Sequence, residues 1–209
     1  MGERGRISLA DGLAVELNTD SHVRLTFTSG RRAAHLVRGE ALFEVEYNEQ
    51  PFDVISQCGR MRALNTTFAV YARPNGRCDL VVENGRVRTW TRNAHRLVSN
   101  QQLALIADRV DVHPLTRTEL RRRLAWTQGL LMFENTRLAD AVAQVNRYNR
   151  TQLVLDPRLA NIAIGGRFIA TRAHDFAAAL RAVRVRAIDG ATTKGRVIRL
   201  LPDANPVSQ

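Results

Sequence analysis

The sequence has little of what an enzyme, a metal site or a membrane span is made from. It holds two cysteines, five histidines and one lysine, Lys194. Cys58 and Cys78 do not form a C-x-x-C pair, and no histidine stands at metal-ligand spacing from them, so no metal is expected. None of His22, His35, His95, His113 and His174 lies near a G-x-S-x-G, an H-E-x-x-H or a cysteine-nucleophile signature. His35 alternates with apolar residues and is expected on a solvated strand face. The acidic pairs Glu44/Glu46 and Asp108/Asp111 could serve as acid and base only if the fold brought them together, and exposed strand and loop positions are expected for both. Gly165-Gly166 lacks the G-x-G-x-x-G spacing, and there is no P-loop. Neither a cofactor nor catalysis is expected.

No apolar run approaches the roughly 18 residues of a membrane helix. Nor is there a secretory signal, because Met1-Gly2-Glu3-Arg4-Gly5-Arg6 has basic residues without an apolar segment behind them. A protein working outside the cytoplasm would need an exporting segment, so the expectation is then a fragment of a longer chain. Aromatic residues make up only 6% of the sequence, so its cores are expected to rest on Val, Leu, Ile and Ala.

What the chain has in excess is positive charge, +11 net. By itself that suggests a basic nucleic-acid-binding module. The distribution argues otherwise, since arginines are scattered along the whole chain and only Arg121-Arg122-Arg123 forms a dense cluster. That cluster fits either a contact with an acidic partner or a solvated connector. The two cysteines leave two readings open: separate buried thiols in neighbouring strands, or one disulfide in an oxidising compartment.

Short alternating runs separated by turn signals mark residues 1–110 as an all-β domain, a sandwich or roll of many short strands. Asp11-Gly12, Ser29-Gly30, Arg38-Gly39, Pro74-Asn75-Gly76 and Asn84-Gly85 punctuate it, the fourth of these as a hairpin signal. Strands are expected at 34–37 and 41–45, at 67–71 and 78–82, and at 103–105. Residues 111–125 are expected to form a linker, with a short helix over Leu120–Leu124, since Pro114 holds its predecessor extended. Residues 126–205 are expected to form a small α/β domain in the order β-α-β, β-α-β, then one strand. In its first helix, capped by Thr136, residues Leu138, Ala141, Val142, Val145 and Tyr148 share one face. In the second, from Ala173, the buried side is Phe176, Ala179, Leu180 and Val183. Residues 206–209 are expected to be a disordered tail.

Several of these segments resemble one family. Leu9-Ala10-Asp11-Gly12, Gly39-Glu40-Ala41-Leu42-Phe43-Glu44-Val45, Pro51-Phe52-Asp53-Val54, Ala63-Leu64-Asn65-Thr66-Thr67-Phe68 and Asn84-Gly85-Arg86-Val87 occur in the order seen in the periplasmic region of FecR-like iron-dicitrate sensors, transmembrane anti-sigma regulators. Trp126-Thr127-Gln128-Gly129-Leu130-Leu131 and Asn146-Arg147-Tyr148 are similar to that family's C-terminal part, which resembles the STN fold, a β-α-β duplication. The resemblance implies a periplasmic module anchored by a membrane helix absent from this chain. Its implied partner is the N-terminal signalling domain of a TonB-dependent siderophore receptor, and it reaches an extracytoplasmic-function sigma factor through a cytoplasmic segment, also absent. Nucleic acid is not among the implied partners.

One departure bears on chemistry. Some family members cleave themselves between Gly and Thr of an Ala-Leu-Gly-Thr-x-Phe segment, the Thr hydroxyl attacking the preceding carbonyl. Here Asn65 replaces the glycine before Thr66. Glycine's freedom of dihedral angle is lost, although Asn tolerates left-handed angles, so no efficient self-cleavage is expected. For partner binding the expected surface is a sheet edge that accepts another strand, placed at the terminal strand Arg196, Val197, Ile198, Arg199 and Leu200.

Overall fold

The computed structural model describes residues 5–9, 11–28, 30–193 and 195–203. The expected tail at 206–209 lies outside the described residues, as does Ser29 of the expected Ser29-Gly30 turn. The chain divides between Leu124 and Ala125 into two compact units.

The first unit is built from twelve described strands and one helix: β1 (Gly5–Ser8), β2 (Leu13–Leu17), β3 (His22–Thr28), β4 (Arg31–Val45), β5 (Phe52–Ser56), β6 (Gly59–Ala63), β7 (Thr66–Ala72), β8 (Cys78–Asn84), β9 (Arg86–Trp90), β10 (His95–Ser99), β11 (Gln102–Ile106), β12 (Val110–Pro114) and α1 (Arg117–Leu124). The mainly β architecture agrees with the alternation in the sequence. Two sheets share β4. Its first half pairs with β3 and β5 in a sheet ordered β10-β9-β6-β5-β4-β3, and its second half pairs with β2 and β7 in a sheet ordered β1-β2-β4-β7-β8-β11-β12.

The single long strand replaces the two that Arg38-Gly39 was expected to separate. Gly39 does mark a break, but a bend within β4 rather than its end. Its φ is +81°, and a Cβ there would collide with the backbone of Ser21. Ser21 Oγ both donates to the Glu40 carbonyl and accepts from the Glu40 amide, at 2.8 Å each, which holds the bend. Beyond it Ala41, Phe43 and Val45 point into the core. The Phe43 ring meets Phe52 at 5.7 Å and Phe68 at 5.4 Å, which ties the two sheets together.

The segment expected as a linker, 111–125, belongs almost entirely to the first unit. Residues 110–114 form β12 on β11, where Pro114 is harmless because it ends an edge strand. The helix starts at Arg117 rather than Leu120. Thr116 and Glu119 form a reciprocal capping box, Glu119 N to Thr116 Oγ1 at 3.2 Å and Thr116 N to Glu119 Oε2 at 2.8 Å.

The second unit contains β13 (Leu130–Arg137), α2 (Leu138–Tyr148), β14 (Gln152–Leu155), β15 (Ala163–Ile169), α3 (Ala173–Ala179), β16 (Val185–Thr192) and β17 (Gly195–Pro202). The element order follows the sequence reading, and the strands form two small sheets, β13-β15 and β14-β17-β16. The buried face of α2 is the expected one: Leu138, Ala141, Val142, Val145 and Tyr148. Its start is not. Thr136 lies in β13 and caps nothing; the first amides of α2 instead donate to the carbonyls of Ile162 and Ala160. In α3 the buried residues are Ala173, Phe176 and Ala177, while Ala179 is exposed and Val183 only half-buried. The backbone tightens to a 3₁₀ turn at Leu180, and three residues per turn shift the buried positions off the α-helical spacing.

Candidate functional site

The two cysteines meet. Cys58, in the β5–β6 turn, forms a disulfide with Cys78 at the start of β8, with the Cα atoms 5.9 Å apart. It joins the two sheets of the first unit. A loop of 20 residues closed in this way contributes on the order of 3 kcal/mol through the unfolded chain.

Asn65 and Thr66 sit at the β6–β7 turn beside a groove of about 350 Å³ lined also by Arg6, Glu44, Glu46 and Asn84. Asn65 has a φ of +50°, so it occupies the left-handed region that the family's glycine would take. A Cβ on Gly85 would stand 2.7 Å from the Asn65 carbonyl oxygen and 3.1 Å from Thr66 Cα, so glycine is needed at 85 for this close approach. The Thr66 side chain is buried, and its hydroxyl faces two carbonyls, Leu64 at 2.9 Å and Arg86 at 3.1 Å. The nucleophile and the backbone geometry are both present. Among the described residues, no carboxylate or imidazole is hydrogen-bonded to that hydroxyl to take its proton.

The acidic pairs do not make a catalytic centre. Glu44 accepts two hydrogen bonds from Arg6, at 2.9 and 3.0 Å, and Glu46 is exposed. Asp111 pairs with Arg109 at 3.0 Å, and Asp108 is exposed. His35 is half-buried and the other four histidines are exposed. Among the described residues there is no cluster of three His, Cys, Asp or Glu side chains able to hold a metal, and no helix is long and apolar enough to cross a membrane. Of the arginine cluster, Arg123 is partly buried and lies 3.7 Å from Asp79, whose carboxylate also accepts from Arg73 at 2.6 Å.

The expected binding strand is not an edge. β17 lies in the middle of its sheet, parallel to β14 on one side and antiparallel to β16 on the other. Val197, Ile198 and Leu200 are buried, and only Arg196 and Arg199 are exposed. Being last in the chain suggested an outer place, but the parallel pairing with β14 encloses it. The backbone groups of Arg196–Leu200 are therefore already engaged.

The edges lie elsewhere. On β14, Asn146 mimics a neighbouring strand: its amide nitrogen donates to the Leu153 carbonyl at 2.9 Å, and its oxygen accepts from the Leu153 amide at 2.7 Å. That edge is occupied. β16 pairs with β17 over all eight residues without a bulge, and among the described residues no strand pairs with its other side. Next to this edge the registers place Val154, Arg199 and Ile188 in one row across the sheet. Val154 and Ile188 are 47% and 41% exposed, an apolar pair flanking a guanidinium. His174 Nε2 stands 3.4 Å from Asp189 on the same strand. The Val185-Arg186-Ala187-Ile188 alternation marks this strand in the sequence, but nothing in the pattern marks it as the edge of its sheet.

Residues 1–88 match the family model described as FecR protein. No curated protein matches the chain. Among solved structures, two crystal structures of a candidate anti-sigma factor from Parabacteroides distasonis ATCC 8503 superpose along nearly the whole length. One has a TM-score of 0.78 at 22% identity, covering 96% of this chain and 95% of the other. The second has a TM-score of 0.75 at 22% identity, covering 95% and 94%. At this identity the likeness is one of fold, and it extends over both units. The amino-terminal region, residues 1–88, is thus similar to the FecR family, and both units share the fold of a candidate anti-sigma factor.

Proposed function

We propose that this chain is the periplasmic sensor region of a transmembrane anti-sigma regulator. In this reading the second unit, an STN-like module, binds the signalling domain of a TonB-dependent siderophore receptor. Receptor occupancy is then relayed to an extracytoplasmic-function sigma factor through the membrane helix and cytoplasmic segment that the family resemblance implies. The match to the FecR model and the fold shared with a candidate anti-sigma factor support a regulatory rather than catalytic role. The observation that carries the contact is the unpaired eight-residue edge of β16, beside the exposed row of Val154, Arg199 and Ile188. An edge of this kind accepts a strand through main-chain hydrogen bonds, and the apolar row selects its register.

Calorimetric titration with the signalling domain of the receptor encoded beside this gene tests the reading. Ile188→Asp places a charge in the row and is expected to weaken binding at least about tenfold, a loss of roughly 1.4 kcal/mol. Unchanged affinity would remove the contact from β16; no binding by the unaltered chain would remove the partner. In the same reading Asn65 and Thr66 remain joined, because the Thr66 hydroxyl has carbonyl partners only. Intact mass after purification is expected to show one species of 23.4 kDa rather than two fragments meeting at Asn65 and Thr66.

A further inference from the structure

The outer face of the sheet ordered β10-β9-β6-β5-β4-β3 is unlike the rest of the first unit. Its pairing registers align side chains from successive strands into transverse rows. One row runs Leu97, Arg88, Arg62, Asp53 and Ala33, and the next runs His95, Trp90, Arg60, Ile55 and His35. Arg24 on β3 stands opposite His35 and extends the second row. Six strands spaced about 4.8 Å apart make this face roughly 24 Å wide. It carries arginines 24, 60, 62 and 88 against a single carboxylate, Asp53.

The charges are placed where folding alone would not put them. Arg62 and Arg88 stand directly opposite each other on adjacent strands, an arrangement that destabilises a sheet. Asp53 offsets only part of this. Its side chain is buried and accepts from Arg60 at 2.6 Å and from Arg62 at 2.8 and 3.1 Å. Both of its oxygens are thereby used. Arg60 and Arg62 remain 45% and 41% exposed, each with guanidinium N–H groups left over. Arg88 and Arg24 have no carboxylate partner among the described residues. Next to them, the Trp90 ring holds Arg60 at 5.7 Å and Arg88 at 5.9 Å from its centroid. Two guanidiniums are thus braced by one indole and two by one buried carboxylate. That is a preorganised array of donors with unbalanced positive charge.

We infer that this face is a docking surface for an acidic polypeptide segment of a partner protein, whose carboxylates pair with Arg24, Arg60, Arg62 and Arg88. Arg and Trp are the residue types that dominate protein interfaces, and rigid bracing lowers the entropy lost on binding. The aromatic arrangement selects this occupant over single-stranded nucleic acid. Trp90 is the one large aromatic ring in these rows, and two guanidiniums already lie against it, so a base would have to displace one of them to stack there. The surface is separate from the β16 edge and belongs to the other unit, so it stands or falls independently of the receptor contact.

The test is calorimetric titration of the full chain with poly-L-glutamate, and in parallel with a single-stranded oligonucleotide and with phosphatidylglycerol vesicles. The variants are Arg24→Glu/Arg88→Glu and, as a control of identical charge change, Arg150→Glu/Arg181→Glu at exposed positions of the second unit. We expect poly-L-glutamate to bind, the first double variant to bind it at least about tenfold more weakly, and the control to stay within about twofold. The milder Arg88→Gln should lose several-fold and serves if the double variant fails to fold. Equal losses in both double variants would reduce the effect to net charge and overturn the proposal. So would tighter binding of the oligonucleotide or the vesicles than of poly-L-glutamate.

Discussion

Each unit is centred on three phenylalanines, but only the first buries all of them. Phe43, Phe52 and Phe68 have no exposed surface, whereas in the second unit Phe176 and Phe133 are buried and Phe168 is half-exposed. The cross-links differ in the same sense. The first unit joins its two sheets with a disulfide and anchors Arg32, itself buried, on Asp11 at 2.9 Å. The second has no cysteine and relies on asparagines. Asn149 is buried, donates to the carbonyls of Val145 and Ala170 at 2.8 Å each, and accepts from the Ala173 amide at 3.3 Å. One side chain thereby ties the end of α2 to the start of α3. The first unit is covalently stapled, whereas the second is held by a few polar joints.

The sharpest way to break this comparison is to remove one ring from each cluster. Phe43→Ala is expected to cost about 3–5 kcal/mol, because the cavity is enclosed on all sides. Phe168→Ala is expected to cost less than about 2 kcal/mol, since solvent already reaches that ring. Denaturant unfolding followed by amide hydrogen exchange assigns each loss to its unit. Equal costs would mean that the second core is as closed as the first.

Reducing the disulfide comes next. Loss of the Cys58–Cys78 bond is expected to destabilise the first unit by about 3 kcal/mol and leave the second unchanged, by the loop-closure argument. Differential scanning calorimetry with and without reductant should show one transition moving down and one staying. If both move together, the units do not unfold separately.

For the second unit the corresponding test is Asn149→Ala. It leaves two carbonyls and one amide without their partner, an expected cost of about 1–3 kcal/mol. Protection of the α2 and α3 amides from hydrogen exchange should fall, while that of the first unit holds. If the loss is below a few tenths of a kcal/mol, water replaces the asparagine and the joint is not structural.

The sequence made these two regions unequally legible. In α2 the helical period reports burial directly, and all five expected core residues are buried. In the first unit, β6 escaped notice because its inward residues, Met61 and Ala63, alternate with arginines and follow a glycine that reads as a turn. β12 was hidden by Pro114, whose missing N–H costs nothing at a strand's last residue. The capping box Thr116-Arg117-Thr118-Glu119 was a readable signal for α1, obscured by treating the segment as a linker. Neither candidate surface was legible. The β16 edge depends on where β17 lies between two other strands. The basic face depends on register, which brings Arg88 opposite Arg62 from 26 positions along the chain. Local pattern encodes which residues are inward; it does not encode which strands become neighbours.

The smallest expected effect concerns Glu83 on β8. Burial, and then the neighbouring Glu44 carboxylate, push its carboxyl pKa above the ordinary value. A raised carboxyl favours folding while it is protonated, so its contribution is full below the unfolded pKa and is lost as the pH rises through the folded one. At neutral pH the ionised Glu83 therefore opposes folding slightly, and the effect is reduced because the residue is exposed to solvent screening. Glu83→Gln is expected to raise the melting temperature of the first unit by no more than about 2 °C at pH 7 and to have no effect well below the carboxylate range. The transition of the second unit should not move at either pH. A larger gain at low pH than at neutral pH would reverse the sign and show that Glu83 is stabilised as a carboxylate.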